Sequence, residues 1–193
     1  MRLVSLVDPA TLEGEARAVA DSGIAQYGQA LETWRAIMHS PDLFAAYLPF
    51  LRAVAGPGRL DARTKDLSAL LVGSLNRCAY TVSHRTASAR RNGVDERELE
   101  LVVAGEWRGF DDRLRAALEL TRELTLEPAR LAPAEHPTII DDALRSRLQS
   151  LFDERELVEL TMSISVWNGL ARFHRVMGFE FDMPPAPEGV APH

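Results

Sequence analysis

Five side chains that could take part in chemistry lie close together near the middle of the chain. They are a thiol, a phenol, a hydroxyl, an imidazole and a guanidinium, contributed by Cys78, Tyr80, Thr81, His84 and Arg85. Cys78 stands at the predicted start of a helix, where unpaired N–H groups and the helix dipole favour a reactive thiolate. A histidine takes up and releases protons near neutral pH. The segment therefore fits either thiol chemistry or acid–base catalysis, and Cys78 also fits a small buried apolar residue.

The helical repeat divides these side chains between two faces. At about 100° per residue, His84 lies roughly 120° around the helix from Cys78, whereas Arg85 lies within about 20° of it. Thr81 follows Cys78 by one turn and could hydrogen-bond its sulfur, but it cannot form a disulfide with it. Tyr80 precedes His84 by one turn on a separate face. In a regular helix, His84 is thus predicted to act with Tyr80 and not with Cys78.

One acidic residue precedes this segment on a leucine-rich helix. Asp66 lies in the predicted helix 62–76, whose apolar stripe faces a core. An exposed carboxylate that pairs with Arg63 or Lys65 is one interpretation. The other is a functional carboxylate that orients a histidine or takes up a proton.

Gly, Pro and capping residues divide the chain into helices, and no strand-like alternation is long enough to predict a sheet. The predicted helices are one or two within 8–33, then 41–55, 62–76, 78–91, 96–105, 111–126, 141–151 and 153–177, with a proline-rich loop at 128–139. On the last helix, Trp167, Asn168 and His174 could line a pocket. The sequence thus predicts an all-α fold, a compact bundle of about eight helices in a single domain at 1–182, followed by a flexible Pro-rich tail at 183–193.

Composition excludes several classes of protein. The net charge of −6 offers no basic surface for a nucleic acid or an anionic membrane. No apolar run approaches the roughly 20 residues that span a bilayer, and the N-terminus lacks the features of a signal peptide, so a cytoplasmic location is expected. The single cysteine rules out an internal disulfide and a multi-cysteine metal site, and no phosphate-binding loop or metal-ligand spacing is present. We therefore expect no cofactor and no metal.

The central motif lies in residues 60–93, which read LDARTKDLSALLVGSLNRCAYTVSHRTASARRNG. A helix with an acidic residue leads to an Asn-x-Cys-x-Tyr turn, and a second helix bears a histidine and ends in Asn-Gly. This motif resembles the core of the carboxymuconolactone decarboxylase and alkylhydroperoxidase D superfamily. The flanking segments 39–51 and 151–178 are similar to that family's helices, so the resemblance covers about residues 35–180. It implies the family's helical fold, and a homo-oligomer, a trimer or hexamer, with sites near the subunit contacts.

The resemblance also assigns positions to individual residues. In the peroxidase branch of the family, a Cys-x-x-Cys pair reduces hydroperoxides, while an upstream Glu and a His seven residues past the first Cys relay protons. Cys78 matches the first cysteine, but Thr81 stands at the second position and Asp66 at that of the upstream acid. The histidine position holds Arg85, with His84 one residue earlier. Some decarboxylase-like members carry adjacent histidines and no second cysteine, and this sequence is more similar to them.

Three functions are open on this basis. The first is proton transfer on a small organic acid or related metabolite (decarboxylation, isomerisation or lactone chemistry), with His84 as the acid–base group. The second is a one-Cys hydroperoxide reductase, in which Cys78 needs an external thiol. The third is a binding or assembly scaffold without catalysis. The candidate catalytic residues are His84, Cys78, Asp66 and Tyr80, and the candidate substrate-binding residues are Arg85 and Thr81.

Overall fold

The chain is folded from α-helices, as the sequence predicts. The computed structural model describes residues 2–126 and 140–191, and within these ranges it has nine α-helices and no strand. The helices are α1 (Gly14–Tyr27), α2 (Glu32–Ile37), α3 (Pro41–Ala55), α4 (Ala62–Leu75), α5 (Ala79–Arg91), α6 (Glu96–Ala104), α7 (Asp112–Leu126), α8 (Asp142–Leu151) and α9 (Glu154–Met177). The predicted loop at 128–139 lies outside the described residues. No described helix is long and apolar enough to span a bilayer.

The first predicted helical segment, 8–33, contains one long helix and the start of a second. Asp8 caps only a three-residue 3₁₀ turn, and α1 begins later, at Gly14. α1 ends at Gly28, whose φ of 79° lies in the left-handed region that glycine adopts without strain. α2 then brings Thr33 towards α5 and α9.

α4 is the central helix of the bundle and packs against α5, α6, α7 and α9. It is buried without interruption from Thr64 to Gly73, and its side chains Leu67 and Leu70 are fully enclosed. The Asp61 carboxylate caps the helix by accepting the Thr64 N–H at 2.8 Å. Because α4 is enclosed on all sides, the turn that follows it has a fixed position.

A short turn joins α4 to α5 and sets the position of Cys78. Arg77 adopts a φ of 53°, in the left-handed region, and the Cys78 N–H donates to the Gly73 carbonyl at 2.9 Å. The two helices approach closely at Gly73, where an added Cβ would lie 3.0 Å from the Thr81 side chain. Glycine at position 73 is therefore what allows Thr81 to pack directly against α4.

The segment after α9 turns back towards α2. Gly178 ends α9 with a φ of 69°, and the Glu180 N–H then donates to the Glu32 side chain at 2.9 Å. The Gln29 side-chain amide donates to the Asp182 carbonyl at 2.8 Å. These contacts hold Asp182 beside the start of α2.

The predicted tail at 183–193 contains an anchored residue. Val190 lies in the 3₁₀ turn Glu188–Val190 and is fully buried beside Leu99 and Val102 of α6. Residues 192–193 lie outside the described part of the chain. The domain boundary at residue 182 and the flexibility of the tail stay predictions.

Candidate active site

A cavity of about 390 Å³ lies between α1, α2, α3, α5 and α9. α5 contributes Tyr80, His84 and Arg85 to its wall, and α9 contributes Trp167 and His174. A cavity of this volume, lined by aromatic rings and a few polar groups, suits a small organic molecule. The cavity is therefore the candidate active site.

His84 and Tyr80 meet at one carboxylate. His84 Nε2 hydrogen-bonds Asp182 Oδ1, and the Tyr80 hydroxyl donates to Asp182 Oδ2 at 2.8 Å. The rings of Tyr80 and His84 lie one turn apart on α5, with centroids 4.4 Å apart. The helical spacing thus correctly places His84 beside Tyr80, while their shared partner comes from a distant part of the chain.

The Asp182 carboxylate is held in its ionised form. Burial alone would raise its pKa, but the hydrogen bond and charge of His84, the Glu32 N–H and the Tyr80 hydroxyl together lower it below the ordinary value. Burial, reinforced by the nearby charge of Asp182, raises the pKa of Tyr80. At neutral pH, Tyr80 is therefore a neutral hydroxyl that donates to a carboxylate.

Arg85 supplies a buried positive charge to the cavity wall. Its guanidinium carbon lies 4.2 Å from the centroid of the Trp167 ring, and its Nη1 lies 3.4 Å from Asp66 Oδ1. Burial lowers the pKa of Arg85, and the charge of Asp66 partly offsets this effect, but a guanidinium still stays charged at physiological pH. Among the described residues, Nε of Arg85 has no hydrogen-bond partner. An unsatisfied buried N–H is unfavourable, so this group is suited to bind an anion that enters the cavity.

Asp66 is buried beneath Arg85. Besides Arg85, its carboxylate accepts a hydrogen bond from the Asn92 side chain at 2.6 Å. The interpretation of Asp66 as an exposed partner of Arg63 or Lys65 is wrong, because both cations pair with other carboxylates. The hydrogen bonds of Asp66 go to α5 and to Asn92, the residue that follows α5, so Asp66 positions Arg85. A direct catalytic role for Asp66 stays a prediction.

Cys78 lies behind the cavity wall. It is 2% exposed, at the N-cap of α5, and is not among the residues that line the cavity. Thr81 Oγ1 lies 3.2 Å from the Cys78 sulfur and 2.9 Å from His174 Nδ1. The other ring nitrogen, His174 Nε2, lies 3.1 Å from Thr33 Oγ1. The histidine that connects to Cys78 is therefore His174, and His84 faces a separate partner.

The buried ring of His174 makes stability depend on pH. Burial, reinforced by the positive charges of His84 and Arg85, lowers the pKa of His174 from 6.5 to about 3. Since the unfolded chain takes up this proton below its own pKa and the folded protein does not, the contribution is complete above pH 6.5 and is lost as the pH falls towards 3. Between about pH 7 and pH 4.5, wild type is expected to lose about 2–3 kcal/mol more unfolding free energy than His174→Gln. Urea denaturation of both proteins at the two pH values measures this difference.

The exposed His39 provides the control for that experiment. His39→Gln makes the same chemical change at an exposed residue outside the cavity, and it is expected to keep the wild-type difference in stability between the two pH values. If His174→Gln lost as much stability on acidification as wild type, the neutral buried state of His174 would be contradicted.

Two residues of this site escape prediction from the sequence. Asp182 lies outside every predicted helix, directly before the proline-rich segment 183–193, and Thr33 is 141 residues away from its partner His174. No local pattern marks either residue. Of the three α9 residues predicted to line a pocket, Trp167 and His174 line the cavity, whereas Asn168 accepts a hydrogen bond from the Asn76 side chain at 3.0 Å. Within residues 2–126 and 140–191, no group of three or more His, Cys, Asp or Glu side chains is placed to hold a metal ion.

Comparison with known proteins identifies the family. The sequence profile of the carboxymuconolactone decarboxylase family matches residues 41–123. The uncharacterized protein YnjA of Escherichia coli (strain K12) is 30% identical over 158 residues, which cover 78% of this chain and 79% of YnjA. The chain therefore belongs to the carboxymuconolactone decarboxylase and alkylhydroperoxidase D-like superfamily.

Solved structures have the same fold. An uncharacterized peroxidase-related protein from Silicibacter sp. TM1040 has a TM-score of 0.76 at 19% identity, with 99% of this chain and 95% of that chain covered. The apo form of the debrominase Bmp8 has a TM-score of 0.76 at 18% identity, with 93% and 92% covered. At these identities the likeness establishes the fold, and the chemistry has to be argued from the site itself.

Proposed function

We propose that this protein is an enzyme that transfers protons on a small organic acid or a related metabolite, in a decarboxylation, an isomerisation or a lactone reaction. The observation that carries the proposal is the composition of one cavity wall. An imidazole on a carboxylate, a phenol and a buried guanidinium lie together on α5, in a cavity sized for a small molecule. Membership of the carboxymuconolactone decarboxylase family supports an enzyme of this general kind.

His84 is the proposed acid–base group. Its Nε2 is engaged by Asp182, which leaves Nδ1 as the ring nitrogen available to a substrate. A carboxylate bonded to one ring nitrogen fixes the orientation of the imidazole and stabilises the protonated form that arises during catalysis. Tyr80, which donates to the same carboxylate, keeps this pair in place.

Arg85 is the proposed binding group for the substrate carboxylate. Its buried charge and the unpaired Nε favour an anion, and the stacked Trp167 ring restricts the guanidinium to one plane. One Asp66 oxygen pairs with Arg85, and the other accepts from Ser88 and Asn92. An acid bound at Arg85 would lie next to His84, because the two residues are adjacent on α5 and line the same cavity.

A second candidate function rests on Cys78. Thr81 lies within hydrogen-bonding distance of both the Cys78 sulfur and His174, which gives the thiol a route for losing its proton. In a one-Cys hydroperoxide reductase, the thiolate would take the terminal oxygen of a hydroperoxide, giving a sulfenic acid and an alcohol. Two molecules of an external thiol would then restore Cys78, with release of water and a disulfide. The structural likeness to proteins described as peroxidase-related and as a debrominase is consistent with this alternative.

A comparison of wild type with Cys78→Ser separates the candidates. A panel of small carboxylic acids and lactones tests the first, and reduction of cumene hydroperoxide with dihydrolipoamide tests the second. We expect Cys78→Ser to retain turnover of the acid or lactone, because the thiol lies outside the cavity. Hydroperoxide reduction that is lost in Cys78→Ser would establish the second function. Turnover of neither class would favour the third possibility, a scaffold without catalysis.

We also propose a homo-oligomer, as the family resemblance implies. Several large apolar side chains on α3 and α9 are exposed, namely Leu43, Phe50, Val158, Met162 and Val176. Contacts between subunits would remove such side chains from water.

A further inference from the structure

An unbroken chain of hydrogen bonds connects the buried thiol to the carboxylate at the cavity. Its links are Cys78 Sγ to Thr81 Oγ1 (3.2 Å), Thr81 Oγ1 to His174 Nδ1 (2.9 Å), His174 Nε2 to Thr33 Oγ1 (3.1 Å), Thr33 Oγ1 to Tyr80 Oη (3.1 Å) and Tyr80 Oη to Asp182 Oδ2 (2.8 Å). The five members from Cys78 to Tyr80 are all buried. This chain of hydrogen bonds passes from α5 to α9, then to α2 and back to α5, and it ends on the segment after α9.

The members of this chain constrain one another. Each hydroxyl has one proton to donate, and a neutral imidazole has one N–H and one accepting nitrogen. His174 is neutral because burial lowers its pKa to about 3. With one proton per interior member, the chain has two complete arrangements, in which all donors point towards Asp182 or all point towards Cys78.

The ionised Asp182 selects one of these arrangements. A carboxylate only accepts hydrogen bonds, so Tyr80 donates to it, and Tyr80 Oη accepts from the Thr33 hydroxyl at 3.1 Å and from the Thr33 N–H at 3.4 Å. His174 then has to donate from Nε2 to Thr33, which leaves Nδ1 to accept from Thr81. Thr81 has no second proton, and its neighbour Cys78 therefore has to be the donor, as a thiol.

We infer that Cys78 and Asp182 share one proton through this chain, so that an ionised Asp182 holds Cys78 as a thiol and a protonated Asp182 is matched by a thiolate. In the exchange, the Cys78 S–H bond breaks as Thr81 takes the proton and passes its own to His174 Nδ1. His174 gives up its Nε2 proton to Thr33, Thr33 passes its own proton to Tyr80 Oη, and the Tyr80 proton moves to Asp182 Oδ2. The sum is a thiol and a carboxylate that become a thiolate and a carboxylic acid, without a change in net charge and without an imidazolium.

The proposed proton-transfer reaction and the proposed hydroperoxide reduction could each use this exchange of a proton between Cys78 and Asp182. Asp182 also bonds His84 at the cavity wall, so the proton that leaves Cys78 arrives at the carboxylate that orients His84. Charged groups that act on His174 are His84, Arg85 and Asp182 itself. The inference does not rest on either reaction, and its test needs no substrate, so its failure would be distinct from a failure of the proposed function.

The tautomer of His174 is the direct readout. Ring ¹⁵N chemical shifts at pH 7.5 distinguish the Nε2–H form from the Nδ1–H form, and His174→Gln identifies the signals. In wild type we expect the Nε2–H form. Asp182→Asn supplies an amide that can donate to Tyr80 and so turn the chain round, moving the tautomer ratio towards Nδ1–H by about fivefold or more, the ratio that one net hydrogen bond supports.

The Tyr80→Phe variant tests whether the His174 tautomer is set by the chain of hydrogen bonds or by the charge of Asp182 acting through space. This variant keeps the ring and the Asp182 charge, but it releases Thr33 to donate to His174 Nε2. We therefore expect it to move the His174 tautomer in the same direction as Asp182→Asn, while Thr33→Ser, which keeps the hydroxyl, gives the wild-type tautomer. In Asp182→Asn and in Tyr80→Phe, the thiolate absorbance near 240 nm is expected to increase at pH 7.5. It is measured against the same variant with Cys78→Ser.

Two results would overturn the inference. One is a wild-type His174 in the Nδ1–H form. The other is a Tyr80→Phe protein that keeps the wild-type tautomer, whether or not Asp182→Asn changes it, because charge alone would then account for any effect. If Asp182→Asn fails to fold, wild type, Tyr80→Phe and Thr33→Ser still decide the question.

Discussion

Replacing His84 with glutamine is expected to lower kcat/KM for the acid that the cavity accepts by about 10²–10⁴-fold, the usual contribution of a general acid or base. Glutamine can still donate a hydrogen bond to Asp182, so the local packing is retained while the titrating group is lost. The binding group Arg85 is untouched, and the loss should therefore fall mainly on kcat. Steady-state kinetics with a substrate identified from the acid and lactone panel measure the two constants.

The exposed His39 gives the matched control for this substitution. His39→Gln makes the same chemical change outside the cavity, and it is expected to leave kcat and KM at their wild-type values. A His84→Gln enzyme with wild-type kcat would assign the acid–base role elsewhere. His174, the other imidazole of the cavity wall, would then be the next residue to replace.

The sequence predicts those features of the site that depend only on residues close together in the chain. The α4–α5 pair follows from a capping Asp61, an apolar stripe and a cysteine at a helix start, all of which are short-range signals. The 3.6-residue repeat is enough to separate Cys78 from His84 and to place His84 beside Tyr80. These relations hold within one helix and do not depend on the rest of the fold.

The partners of those residues come from distant segments and follow no periodic pattern. Asp182 and Thr33 reach Tyr80 from opposite ends of the chain, 102 and 47 residues away in sequence. Their positions depend on how α9 ends at Gly178 and on how α2 packs, and both are tertiary features. A sequence pattern that names His84 as an acid–base group therefore cannot name the carboxylate that orients it.

Asp66 illustrates a different limit of sequence patterns. A charged residue next to leucines on an amphipathic helix is normally an exposed residue, because burying a lone carboxylate is unfavourable. Here the burial is compensated by Arg85 and Asn92, which come from the next helix and its end. Whether the Asp66 carboxylate can be buried depends on its pairing partners. These partners can be identified only when the packing of α4 against α5 is known.

Replacing Asp66 with alanine is consequently expected to lower the free energy of unfolding by about 3–5 kcal/mol, the cost of leaving a buried charge without its partner. Arg85 would keep its position over Trp167 but would lose its counter-ion at a site with little access to water. Urea denaturation at neutral pH measures the change. Asp21→Ala is the control, because it breaks an exposed ion pair with Arg17 and should cost no more than about 1 kcal/mol.

Removing both members of the buried pair distinguishes a structural from a purely catalytic role for Asp66. In Asp66→Ala combined with Arg85→Met, no unpaired charge remains in the core, so the double variant should be more stable than Asp66→Ala alone. The double variant is also expected to lose binding of the substrate acid, since Arg85 is absent from it. If Asp66→Ala instead kept wild-type stability and lost only kcat, Asp66 would be a catalytic carboxylate, and its contact with Arg85 would be incidental to folding.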